Sequence, residues 1–173
     1  MTILGADRPG LVRSLADGVA AQGGNWLESR MARLAGQFAG IVRVECAADK
    51  VDALLTELGK LESSGLTIQA VREEAAASVK KPTLSVEVMG NDRPGIVREL
   101  SAAIVQAGGN VEELTTGLES APMSGQPMFR AHVLIGLSEG ADDSALISAI
   151  EGLSSDLTVD VAQAGVNSTA TVS

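Results

Sequence analysis

The 173-residue chain has no tyrosine, one tryptophan and two phenylalanines. Proteins that hold single-stranded nucleic acid stack bases on aromatic rings, and this chain has almost none to offer. It has one cysteine, Cys46, and one histidine, His132. A single cysteine closes no internal disulfide, which fits a reducing compartment. One His and one Cys leave too few ligands for a metal site and no companions for a base-and-nucleophile arrangement. No apolar run approaches the roughly 18 residues that a membrane helix needs. No basic-then-apolar leader opens the sequence, so a cytoplasmic protein without a membrane role is expected. Basic residues are scarce in the second half: residues 1–79 hold 8 Lys and Arg against 10 Asp and Glu, whereas residues 82–173 hold 3 against 12. The net charge is −9. So acidic a half repels phosphate backbones, which argues against direct nucleic-acid binding.

What the chain does contain is a motif that occurs twice. Gly5-Ala6-Asp7-Arg8-Pro9-Gly10 returns as Gly90-Asn91-Asp92-Arg93-Pro94-Gly95, a shift of 85 residues. The shift holds from Leu11-Val12-Arg13 to Ile96-Val97-Arg98, and from Gly23-Gly24-Asn25 to Gly108-Gly109-Asn110. A spacing kept this long implies two copies of one structural unit. Each copy alone would bury a thin core, so the two are expected to pack together or to dimerise.

The hydrophobic pattern assigns the same element order to both copies. In the first, an apolar strand Thr2-Ile3-Leu4 precedes the turn, and Leu11, Val12, Leu15 and Val19 recur at helical spacing. Gly23-Gly24 ends that helix. Two extended segments, 26–34 and 38–46, flank the hairpin-length Ala35-Gly36-Gln37. Asp49 reads as an N-cap before a helix that turns Val51, Leu54, Leu55, Leu58 and Leu61 inward. Residues 66–71 close the unit as a strand. The second copy follows suit with segments 83–89, 94–107, 111–118, 128–137, 142–153 and 157–161. Strand, helix, strand, strand, helix, strand is the ferredoxin-like split βαβ order, an α+β fold whose antiparallel sheet carries helices on one face. The expected boundaries are a first domain 1–75, a linker 76–82, a second domain 83–166 and a frayed tail 167–173. Phe38 aligns with Phe129, a shift of 91, so six extra residues enter the second copy within 120–127. Their composition is that of a surface loop, either a tolerated insertion or a flap.

The repeated turn has a plain structural explanation. Proline in a first helical turn loses no hydrogen bond, and Asp7 or Asp92 just upstream would cap free N–H groups. That accounts for Asp, Pro and Gly together. It does not explain why the Gly-Gly-Asn turn at the opposite end of the helix is repeated too. Asn25 and Asn110 also suit a strand-entry turn without any ligand.

Gly-x-Asp-Arg-Pro-Gly-(Leu/Ile)-Val, the helical step to Gly-Gly-Asn and the βαββαβ frame together resemble the ACT domain, a small regulatory module that mostly senses amino acids. Two in tandem, with no catalytic or DNA-binding domain, resemble the glycine cleavage system transcriptional repressor family. The resemblance implies an effector held between two ACT domains, touching the first turn of one and the helix-to-strand turn of its neighbour. The implied turn positions are Gly5, Asp7, Arg8, Pro9, Gly10 and Leu11, with Asn91, Asp92, Arg93, Pro94, Gly95 and Ile96 in the second copy. The implied helix-to-strand positions are Gly24 and Asn25, with Gly109 and Asn110. Helix-start amides suit a carboxylate, Asp and Asn oxygens accept from an ammonium, and glycines admit close approach. Ala6 stands where Asn91 does, so the two sites are expected to be unequal.

His132 alternates with Arg130 on the polar side of its strand and reads as a surface or interface residue. Acylphosphatase-like enzymes share the frame and bind phosphate at the first turn, but here an aspartate there would repel it. The glycine-rich pieces match no dinucleotide or Walker-type loop. The expectation is therefore a regulator and not an enzyme, with no cofactor and no metal. It would sense a small amino acid such as glycine or serine, form a homodimer, and act on a separate transcription factor or enzyme. The alternative is a ligand-free interaction module built on the same fold.

Overall fold

The computed structural model describes residues 1–72, 83–121, 125–138 and 140–164, with residues 162–164 described by backbone alone. The chain divides into two compact units, Met1–Ala76 and Ala77–Ser173. The first runs β1 (Thr2–Ala6), α1 (Leu11–Ala21), β2 (Asn25–Leu34), β3 (Gln37–Glu45), α2 (Val51–Gly59) and β4 (Leu66–Gln69). The second runs β5 (Thr83–Asn91), α3 (Ile96–Gln106), β6 (Gly109–Ser120), β7 (Pro127–Leu137), α4 (Asp143–Glu151) and β8 (Thr158–Ala164). Each sheet is antiparallel, in the orders β2-β3-β1-β4 and β6-β7-β5-β8. This is the expected α+β, ferredoxin-like arrangement, twice.

Side chains alternate faces along a strand, and residues directly opposed across a ladder share a face. In the first unit Ile3, Val42 and Leu66 turn to the helices and meet Leu11, Leu15, Val19, Leu54 and Leu58. In the second, Leu84, Val86, Val88, Phe129, Ala131, Val133 and Ile135 meet Ile96, Leu100, Ile104, Leu146 and Ile150. The opposite face of each sheet carries no helix of its own unit.

Both first helices end as their glycines require. Gly23 has φ +70° and Gly108 has φ +79°, conformations that cost a side chain but not glycine. At the first of these the Gly23 and Gly24 amides donate to the carbonyls of Ala20 and Val19 at 2.9 and 3.0 Å, a complete Schellman closure. The tight hairpin β2–β3 turns through Ala35 and Gly36, both left-handed at φ 49° and 76°, as a two-residue type I′ turn demands. In β6–β7 the corresponding hairpin is longer by one ladder pair, Ser120 opposite Pro127, and by a wider turn. The Ala121 amide donates to the Gln126 carbonyl across that turn at 2.9 Å.

Several local expectations are corrected. Asp7 and Asp92 do not cap their helices: the N-caps are Gly10 and Gly95, left-handed at φ 89°, with no side-chain cap bond. Pro9 and Pro94 precede those caps and lie outside the first helical turn. Asp49 sits within a 3-10 turn, Ala48–Lys50, and α2 is capped by Lys50 without a side-chain bond. Val12, Leu55 and Val97 lie on solvent-facing sides of their helices, 46%, 42% and 38% exposed. An amphipathic period marks a stripe, but the sheet beneath covers only part of its width. The last strand of the first unit stops at Gln69, leaving Val71 exposed. A bulge falls at equivalent places in both units, at Leu27 and at Glu112. The expected linker 76–82, the tail 167–173 and residues 122–124 of the insertion lie outside the described residues.

Candidate functional site at the helix-start turns

Much of the repeated glycine is accounted for by the fold. A Cβ on Gly5 would stand 2.6 Å from the Gly65 carbonyl oxygen, and one on Gly90 would meet Leu157 Cδ2 at 2.5 Å. The last strand of each unit passes too close to the first turn for a side chain. Gly10 and Gly95 are required by their left-handed φ. Gly24 and Gly109 are required by packing: a Cβ would meet Val19 Cγ1 at 2.9 Å in one and Ile135 Cγ2 at 2.8 Å in the other. Leu11 and Ile96 are 4% exposed, so only their backbone faces outward. The polar groups left to meet a ligand are Asp7, Arg8 and Asn25 in the first unit, and Asn91, Asp92, Arg93 and Asn110 in the second.

Each first turn is held against the end of its own hairpin. The Asp7 amide donates to the Gly36 carbonyl at 2.9 Å, and the Asp92 amide to the Pro127 carbonyl at 3.2 Å. The Asp7 carboxylate lies 3.6 Å from Arg33 Nε at the end of β2.

The two arginines of the motif have different surroundings. Arg93 Nη2 donates to Glu99 Oε2 at 2.6 Å, and Arg98 approaches the same carboxylate at 3.9 Å. That hydrogen bond holds the Glu99 carboxyl below its ordinary range, and the same bond raises Arg93 further. Asp156 stands nearby: its carboxylate accepts from the Ser154 hydroxyl and from the Asn91 amide at 3.3 Å, and these bonds lower its pKa. In the first unit Ser14 occupies the position of Glu99, so α1 has no acidic residue in its first turn. Arg8 is exposed and has no partner among the described residues. A carboxylate arriving at the first unit would meet an unengaged guanidinium beside a helix N-terminus, a favourable combination. At the second, Glu99 already occupies that role.

The Gly-Asn turns lie at the far end of the helices. Eleven residues of helix span about 16 Å, so no small amino acid reaches both turns of one unit. Asn25 opens β2 and Asn110 lies at the start of β6, both exposed. Beside the first of these is a feature that the sequence reading missed. Val12, Ala16, Val19, Ala20, Gly24 and Trp26 line an apolar groove of about 240 Å3 between α1 and β2. Val12, Ala16 and Ala20 follow one another at four-residue steps on the helix surface, the signal that would have marked it.

His132 lies on the open face of the second sheet, its Nε2 3.0 Å from the Ser85 hydroxyl. The neighbouring Glu87 accepts instead from Arg130, at 2.8 Å from Nε and 2.5 Å from Nη2. Arg130 also reaches Glu119 at 3.1 Å, and the two carboxylates raise its pKa. With its carboxylate engaged elsewhere, the Ser–His pair lacks the third group of a hydrolytic relay. Among the described residues no three His, Cys, Asp or Glu gather as a metal site, and no helix is long and apolar enough to cross a membrane.

Two βαββαβ units in tandem, each with its glycine-bounded turn between first strand and first helix, define a protein with paired ACT-like folds. Residues 1–70 match the ACT domain family, and the second unit repeats the topology of the first. Over the whole chain the structure is similar to that of an unknown protein from Galdieria sulphuraria, with TM-score 0.78 and 26% identity over 92% of this chain and 94% of that one. It also resembles the structure of a protein provisionally assigned as a glycine cleavage system transcriptional repressor: TM-score 0.68, 17% identity, 94% and 95% coverage. No curated protein sequence matches significantly.

Proposed function

We propose that the protein is an amino-acid-sensing regulator that binds its effector through the first-copy turn. The observation that carries this reading is the contrast between Arg8, without a partner among the described residues, and Arg93, neutralised by Glu99. A small amino acid's carboxylate would face Arg8 and the start of α1. The Asn25 or Asn110 side-chain oxygen of a second ACT domain would accept from its ammonium, because a single unit holds its two turns too far apart. Binding of this kind regulates only if it favours one conformational or partner-bound state over another. The partner in this reading is a separate transcription factor or enzyme, and transcription is tuned without contact to DNA.

Titration calorimetry of the full chain with individual amino acids, glycine and serine included, tests it. Arg8→Ala should weaken binding by about 1.5–3 kcal/mol, the worth of a charged hydrogen bond. Arg93→Ala should leave affinity nearly unchanged. Equal losses in both variants, or heat from no amino acid, would remove the reading. The second interpretation, a ligand-free interaction module, draws support from the glycines, since strand contact, backbone conformation and packing explain them without an effector.

A further inference from the structure

The duplication supplies an internal reference for the start of each first helix. The two turns share a backbone: Gly10 and Gly95 are both left-handed at φ 89°, and Arg8 corresponds to Arg93. Their surroundings differ at three positions. Ser14 of α1 is replaced by Glu99 in α3, Asp17 by Ala102, and Gly65, ahead of β4, by Asp156, ahead of β8. In the first unit Arg13 turns along the helix to Asp17, at 3.7 Å. With alanine at that place in α3, Arg98 lies instead 3.9 Å from Glu99 Oε1, while Arg93 Nη2 donates to Glu99 Oε2 at 2.6 Å. The Glu99 carboxylate thereby folds back over the helix start. A Cβ placed on Gly95 would find Arg98 Nη2 at 3.6 Å and Glu99 Oε1 at 3.8 Å, whereas one placed on Gly10 would meet nothing within 4 Å beyond its chain neighbours. The first unit leaves open the position that the second fills with a carboxylate of its own, set between two guanidinium groups.

We propose that Glu99 is a tethered occupant of the second turn, in the place that an effector carboxylate takes in the first, so that each chain carries one effector site instead of two. The inference rests on the effector reading above and adds what closes the second copy. An amino acid offers Arg93 the same carboxylate chemistry that Glu99 does. A group joined to its site by a short chain competes at an effective concentration of about a millimolar or above. A free amino acid below that concentration does not displace it. At the first turn Ser14 carries no charge and offers no such competitor. The remaining charges act in the same direction. Asp156, whose carboxylate accepts from the Asn91 amide at 3.3 Å, stands beside Arg93 and repels a second anion, and the first unit has Gly65 at that position. The Arg93–Glu99 contact is open to water and holds little of the fold together. Its effect lies in occupancy, so exchanging one residue in each copy should exchange which turn binds.

Titration calorimetry of the full chain with glycine, serine and the remaining common amino acids tests it through stoichiometry. Wild type should bind one amino acid per chain. Glu99→Ser should bind two, and Glu99→Ser with Arg93→Ala should return to one. Ser14→Glu, the reverse exchange, should weaken the wild-type site at least about tenfold. Circular dichroism should show every variant folded; should Glu99→Ser unfold, Glu99→Gln takes its place, since it keeps the length and removes the charge. A folded Glu99→Ser that still binds one, with Arg8→Ala abolishing binding, overturns the inference and leaves the effector reading standing. Two sites in wild type overturn it as well. If no amino acid gives heat, the effector reading falls, and modification of arginines by phenylglyoxal, read by peptide mass spectrometry, decides whether Glu99 occupies the turn. Arg93 should react several-fold more slowly than Arg8 in wild type and as fast as Arg8 in Glu99→Ser. Equal rates in wild type overturn the inference.

Discussion

Gly5 and Gly90 hold the same place in the two units, yet alanine should cost them different amounts. At Gly5 the obstacle is a backbone carbonyl, Gly65 O at 2.6 Å, which moves only with its strand. At Gly90 the nearest atom is a methyl of Leu157, and the Asp156 carbonyl oxygen lies further off at 3.1 Å. A flexible side chain can swing aside. Gly5→Ala should therefore lose about 2–4 kcal/mol and Gly90→Ala about 1–2 kcal/mol. Trp26 is the only tryptophan and lies in the first unit, so its fluorescence reports that unit's unfolding. Gly5→Ala should shift the tryptophan transition in urea, and the loss from Gly90→Ala should be read by circular dichroism of the whole chain; an equal loss of stability from both would contradict the assignment of cost to a rigid against a movable neighbour. The Arg93–Glu99 pair makes a prediction in pH. Glu99 is held below its ordinary pKa in the folded chain, so its stabilisation is present above the unfolded value and is lost as pH falls through the folded one. Comparison of wild type with Glu99→Gln should show a small, constant difference in Tm from neutral pH down to about 5, closing below about pH 4. The pair is open to water, so the difference stays small. A gap that widened on acidification would refute this sign.

Among the elements, the β2–β3 hairpin carries the clearest local conflict. Ala35 is the one described non-glycine residue with positive φ, 49°. Asparagine or glycine is the natural occupant of that type I′ position. Ala35→Asn should stabilise the first unit by about 0.5–1 kcal/mol, read as a rise of a few degrees in its melting transition. A fall would mean that the turn is not the type I′ its angles describe. The sequence made this hairpin legible because two alternating strands bracket a short glycine turn, and the duplication allowed every element to be read twice. What it did not reveal depends on distance in space. Val12 and Leu55 satisfy the helical period but lie beyond the edge of the sheet's cover. Asp49 has the chemistry of a cap, yet the chain enters α2 through a 3-10 turn that places Lys50 there instead. The bulges at Leu27 and Glu112 leave no mark in composition. At the candidate site, the repeated motif located the turns, but the difference between Arg8 and Arg93 lies in Ser14 against Glu99, outside the motif itself.

For the whole molecule, charge sets what it can touch. The net charge is −9, and the second half carries most of the excess, with 3 basic residues against 12 acidic in residues 82–173. All three of those basic residues stand within 4 Å of a carboxylate: Arg93 and Arg98 of Glu99, and Arg130 of Glu87 and Glu119. In the first unit Arg13, Arg33, Lys60 and Arg72 each stand within 4 Å of a carboxylate. A DNA-binding surface requires the reverse, several cations free to displace the counterions of consecutive phosphates. Purified protein should therefore fail to retard duplex DNA even at low ionic strength, where any electrostatic affinity is greatest. Adding glycine or serine should not change this, because an amino acid brings no net cation to the surface. If it regulates transcription, a DNA-bound partner must carry it there, and a mobility shift should appear only when that partner is supplied. Retardation of DNA by the protein alone, weakening steeply as salt is raised, would count against an indirect mechanism and would place an unrecognised cationic surface on the chain.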